Sequence, residues 1–89
     1  MEKIIEIEGR KYIAKEPSGY DVDRFIVLFL DDNMNPIKEK LPDANVYLIK
    51  MVFGLDEEEI KALPVSVYRR LTNEAAKFIG GIAEDEAKK

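Results

Sequence analysis

LDEEEIKALPVSVYRRLTNEAAKFIGGI, residues 55–82, is the stretch on which the fold turns. It reads as a short capped helix, a proline stop and then a long amphipathic helix. Asp56 has the chemistry of an N-cap, since its carboxylate can accept from the free backbone N–H groups of Glu58 or Glu59. Glu57, Glu58 and Glu59 then place negative charge at the positive end of the helix dipole. Leu55 and Ile60 hold the two positions of a hydrophobic staple. Pro64 lacks an N–H and disfavours helical geometry at Leu63, so it ends this helix and suits the first turn of the next. From there Val67, Tyr68, Leu71, Ala75, Phe78, Ile79 and Ile82 recur at three- and four-residue steps. They share one face, with Arg69, Arg70, Asn73, Glu74 and Lys77 elsewhere. Gly80-Gly81 is read as the stop.

Upstream, residues 43–54 give a further helix: Asp43 is its cap, Val46, Ile49, Val52 and Phe53 its apolar face, and Gly54 its end. Tyr47, Leu48 and Met51 leave this segment little polar surface. It is therefore either central to the core or partly turned toward a partner. Residues 20–31, YDVDRFIVLFLD, fit two structures: a buried strand through Phe25–Leu30, or a helix capped by Asp21 with Val22, Phe25, Ile26 and Phe29 in a stripe. Helix is the favoured reading.

At the N-terminus, residues 3–15 predict a β-hairpin turned at Gly9-Arg10, with glycine at the first central position of a type II′ turn. That register sets Glu8 against Lys11, Ile7 against Tyr12 and Ile5 against Ala14, so Ile5, Ile7, Tyr12 and Ala14 form one apolar face. A lone hairpin is marginal in water, so this face must rest on helices. The expected fold is α+β over a single domain, residues 1–89: a hairpin at 3–15, three to four helices within 20–82, and a frayed charged tail at 83–89.

With 89 residues, no cysteine, no histidine and a net charge of -4, the chain lacks thiolate nucleophiles, imidazole bases and the usual zinc ligands. The spacing Asp31-x-Asn33-x-Asn35 resembles the start of a calcium loop, but Pro36 stands where the sharp turn needs glycine and Pro42 where a bidentate glutamate belongs. The carboxylate clusters are explained as caps, turns, dipole partners and a solvated tail, so the expectation is no catalytic residue, no metal and no cofactor. Arg69, Arg70 and Asn73 are too few, and the net charge is of the wrong sign, for nucleic acid. Neither a membrane span nor a secretion signal is expected, which points to the cytoplasm.

Two stretches carry a resemblance: Leu55-Asp56-Glu57-Glu58-Glu59-Ile60-Lys61-Ala62-Leu63, and then Tyr68 followed by Leu71-Thr72-Asn73-Glu74-Ala75-Ala76-Lys77-Phe78. With the hairpin before them, this layout is similar to the small tail assembly chaperones of long-tailed bacteriophages. The resemblance implies a phage- or prophage-encoded, non-catalytic protein of the bacterial cytoplasm, absent from the mature virion. Its partners would be the long apolar tape measure protein and the tail tube protein, with homo-oligomerisation left open. A generic regulatory or antitoxin-like binding module shares the same features. The client surface is expected among Tyr47, Met51, Phe53, Tyr68, Phe78 and Ile82, apolar residues in excess of a single stripe.

Overall fold

The structure, a computed structural model, describes residues 2–87, with side chains described from Glu2 to Ile79. Two antiparallel strands, β1 (Glu2–Ile7) and β2 (Arg10–Lys15), precede four α-helices: α1 (Gly19–Phe29), α2 (Leu41–Phe53), α3 (Glu57–Lys61) and α4 (Val65–Ala87). A single 3₁₀ turn at Lys38–Lys40 leads into α2. The fold class is α+β, as the hydrophobic periodicities require.

The hairpin turns one step earlier than expected. Ile7 pairs with Arg10, Ile5 with Tyr12 and Lys3 with Ala14, so the two turn residues are Glu8 and Gly9, not Gly9 and Arg10. Both have positive φ, 50° and 83°, the signature of a type I′ turn, whose twist matches that of the flanking strands. Glycine is favoured at the second position of that turn. Glu8 carries the cost of left-handed backbone at the first, and its carboxylate accepts a hydrogen bond from Ser66 Oγ at 3.0 Å. The partner of every residue moves by two positions, an even number, so Ile5, Ile7, Tyr12 and Ala14 still share the inner face.

Residues 20–31 are helical almost throughout. The cap is Ser18 and not Asp21: Ser18 Oγ accepts from the Asp21 backbone N–H at 3.1 Å, while Asp21 lies in the first turn. Val22 and Phe25 are buried from this helix. Beyond it, Asp31 Oδ1 accepts from the backbone N–H groups of both Asn33 and Asn35, each at 2.9 Å. The apparent calcium spacing is thus an Asx turn whose leading carboxylate is engaged by the loop itself.

α2 begins two residues earlier than its expected cap. Pro42 stands in the first turn, where its missing N–H leaves nothing unsatisfied, and Asp43 follows as a dipole partner. Gly54 ends the helix in left-handed conformation, φ 69°, its N–H donating to the Lys50 carbonyl at 2.9 Å. At α3, Asp56 takes the extended backbone of a cap but its side chain makes no capping hydrogen bond. Its carbonyl accepts from Ile60 N–H at 3.0 Å. Pro64 precedes α4 and its carbonyl receives the N–H of Tyr68 at 2.9 Å. α4 runs on through Gly80-Gly81 to Ala87, so the expected stop at the glycine pair is not found. Glycine ends a helix by turning left-handed; one that keeps helical geometry only weakens it, by about 1 kcal/mol relative to alanine. Lys88 and Lys89 of the expected tail lie outside the described residues.

α2 is the element on which the others meet, packing against β2, α1, α3 and α4. On one side, Ala44, Leu48 and Val52 join Ile5, Ala14, Phe25 and Ala75. On the other, Ile49 joins Tyr12, Ile60, Val67 and Leu71. This dual packing explains why α2 has so little polar surface.

Candidate functional site

Helices α1, α2 and α3 do not close on one another completely. Between them lies a groove of about 440 Å³, lined by Phe29, Val46, Tyr47 and Met51 with Asp21, Asp43, Lys50 and Glu57 around them. α2 supplies most of the wall because Asp43, Val46, Tyr47, Lys50 and Met51 follow one another at three- and four-residue steps or as neighbours across one helical face.

The aromatic floor is built across the α1–α2 contact. The Tyr47 ring centre lies 5.5 Å from that of Phe29 and 6.2 Å from that of Phe25, in tilted arrangements, and Phe25 and Phe29 are themselves 5.5 Å apart. Such offset geometries set ring edges against ring faces and hold the cluster in one shape. Tyr47 and Met51 are half-buried, packed on the core from below while still lining the groove.

Around this apolar strip, carboxylates outnumber the single ammonium of Lys50. Lys61 lies 3.0 Å from Glu57, and this hydrogen-bonded ion pair, with help from Lys50, holds the Glu57 carboxyl below its ordinary range. With Lys50 and Lys61 set among the carboxylates of Asp21, Asp43 and Glu57, the rim carries both signs with a small excess of acidic groups. An apolar strip with a border of slight acidic excess suits the apolar face of a helix flanked by lysine or arginine.

Of the remaining residues expected at a client surface, Phe53 is half-buried and packs against both core clusters, edge-on to Tyr12 at 6.4 Å. Tyr68 is half-buried against the cluster of Ile49, Ile60 and Leu71. Phe78 lines a separate small pocket of about 150 Å³ with Lys3, Ile5, Ala14, Glu74 and Lys77. The side chain of Ile82 lies outside the described residues. The structure thus brings Tyr47 and Met51 together and sets Phe53, Tyr68 and Phe78 elsewhere. Phe29 and Val46, which the stripes assign to the core, are groove residues that sequence periodicity could not separate from core positions.

One buried polar group had no counterpart in the sequence reading. Glu74, expected among the outward residues of α4, is only 7% exposed. Lys77 donates to both of its oxygens at 2.9 and 3.2 Å, while Lys3 of β1 and Arg70 stand at 3.6 and 3.9 Å. The Lys77 hydrogen bond, together with the charges of Lys3 and Arg70, outweighs burial and holds the Glu74 carboxyl below its ordinary range. Its work is structural, fastening the hairpin to α4.

Among the described residues no cluster of acidic side chains is placed to hold a metal ion, and no helix is long and apolar enough to cross a membrane. No family model matches the chain, and neither a curated protein nor a solved structure matches it.

Proposed function

We propose that this chain is a non-catalytic adaptor that holds an apolar helix of a client protein in the groove between α1, α2 and α3. The observation that carries this reading is the pair Tyr47 and Met51, half-buried on the central helix yet lining an open groove with Phe29 and Val46. A small domain that buries only about 60% of its chain surface gains stability from each apolar side chain it can enclose. Aromatic and thioether side chains left at a groove suit a binding surface that adapts to varied apolar partners.

Within this reading, the resemblance of residues 55–63 and 68–78 to phage tail assembly chaperones supplies the role. The client is then a tape measure protein kept from aggregating in the bacterial cytoplasm while tube subunits are recruited, and the adaptor leaves before the particle is complete. The small acidic excess of the rim favours client segments in which lysine or arginine borders the apolar helix face.

Co-expression with whichever open reading frame is longest just downstream of this gene tests the role. A product that becomes soluble and co-purifies with this chain is the expected result. A product that is insoluble regardless, or soluble alone, removes the tail-assembly role and leaves the regulatory or antitoxin-like binding module.

A further inference from the structure

The outer face of the hairpin has no part in the groove, and its side chains are sorted by strand. β1 presents Glu2, Ile4 and Glu6, and β2 presents Lys11, Ile13 and Lys15, in the pairs Glu2–Lys15, Ile4–Ile13 and Glu6–Lys11. Ile4 is 66% and Ile13 48% exposed, so an apolar pair sits in the open at the centre of the face. All the acids lie on one strand and all the bases on the other. Within the hairpin this already gives one ion pair, Lys15 to Glu2 at 3.8 Å.

That sorting limits how a second sheet can approach. Stacking two such faces about a two-fold axis parallel to the strands lays β1 over β2 of the other copy. Glu2 then meets Lys15, Ile4 meets Ile13 and Glu6 meets Lys11, and the symmetry repeats each contact. A two-fold axis across the strands would instead lay β1 over β1, with Glu2 against Glu6. Edge-to-edge pairing of identical strands likewise sets glutamate against glutamate or lysine against lysine, which cross-strand pairing penalises. Of these arrangements, only the first satisfies both the apolar pair and every charge.

We infer that this outer hairpin face is a self-complementary interface, on which a second copy of the chain stacks about a two-fold axis parallel to the strands. The contact is small, a few residues from each copy, and lies below the size of permanent dimers. The dimer is accordingly weak and reversible, and it leaves the groove between α1, α2 and α3 free on both copies.

Sedimentation equilibrium over a concentration series tests this with three chains. The wild type should rise from its monomer mass of 10.2 kDa toward twice that value as concentration approaches about 1 mM, the regime of weak contacts. Ile4→Thr with Ile13→Thr, which retains strand propensity, should stay monomeric with an unchanged circular dichroism spectrum. A chain with Glu2→Lys and Glu6→Lys, basic on both strands of this face, and one with Lys11→Glu and Lys15→Glu, acidic on both, should each stay monomeric and should associate with one another when mixed. A wild type that stays monomeric throughout overturns the inference. So does a threonine variant that dimerises undiminished, or an all-basic or all-acidic chain that associates with itself as readily as the wild type does. Should the threonine variant fail to fold, the two charge variants and their mixture decide.

Discussion

The Tyr47 ring lies 5.5 Å from that of Phe29, with the ring planes 60° apart, so that one aromatic contact both joins α1 to α2 and forms the floor of the groove. Tyr47 therefore has two duties. Tyr47→Ala should cost about 3 kcal/mol, the range for removing a large partly enclosed ring, whereas Tyr47→Phe should keep stability within about 0.5 kcal/mol. Denaturant unfolding followed by circular dichroism checks both values. An alanine variant as stable as wild type would mean that the ring contributes nothing to the α1–α2 contact.

Ile60 is fully buried although it comes from a helix of only five residues, too short to persist in isolation. Its side chain holds α3 against Ile49 and Leu71, with Leu55 packed nearby as the staple pattern anticipates. Ile60→Ala should destabilise by roughly 3 kcal/mol and shift the urea midpoint without changing the slope. Unchanged stability would show α3 to be loosely attached.

Glu74 ties acid sensitivity to the hairpin. Its folded-state pKa lies below the ordinary 4.5, chiefly through the Lys77 hydrogen bond, so its contribution is present in full above that unfolded value. The contribution is lost as pH falls through the lower folded value. Glu74→Gln should therefore cost about 1 kcal/mol at pH 7, allowing for the solvent exposure of the lysines, and the gap from wild type should close in acid. Paired thermal melts across pH 7 to pH 2 measure it. A gap that persists unchanged in acid would mean that ionisation of Glu74 is irrelevant.

Gly54 ends α2 with φ at 69°, a left-handed conformation that an added Cβ strains even where space is open, as it is here. Gly54→Ala should cost about 1 kcal/mol. No loss in a chemical melt would require the α2–α3 connection to take another path.

The sequence was most informative where one spacing has one meaning. Val67, Leu71 and Ala75 on α4, and Val22 and Phe25 on α1, are buried where a 3.6-residue period puts them. Where two residues can do the same job, it was ambiguous: Ser18 and Asp21 are both good caps, and Gly9 fits the first position of one tight turn or the second of another. The even register shift left the hairpin faces intact, so the pattern of apolar residues could not report it. Glu74 was illegible for a different reason. Its burial depends on Lys3, from the opposite end of the chain, as well as on its own helix. The groove shares this property, since Phe29, Tyr47 and Met51 become a surface only once α1 and α2 are set beside each other.

Client capture by a Met51→Glu variant is the most direct measurement of the groove's role. Met51 lines the groove, is half-buried and takes no part in the aromatic cluster, so a solvated carboxylate there should leave the melting temperature within a few degrees, about 1 kcal/mol or less. The groove account predicts a variant that folds as the wild type does and fails to co-purify the apolar client helix that wild type retains. Capture undiminished by the new charge would contradict it, and capture lost only in step with the melting temperature would make Met51 a core residue and the groove no binding site.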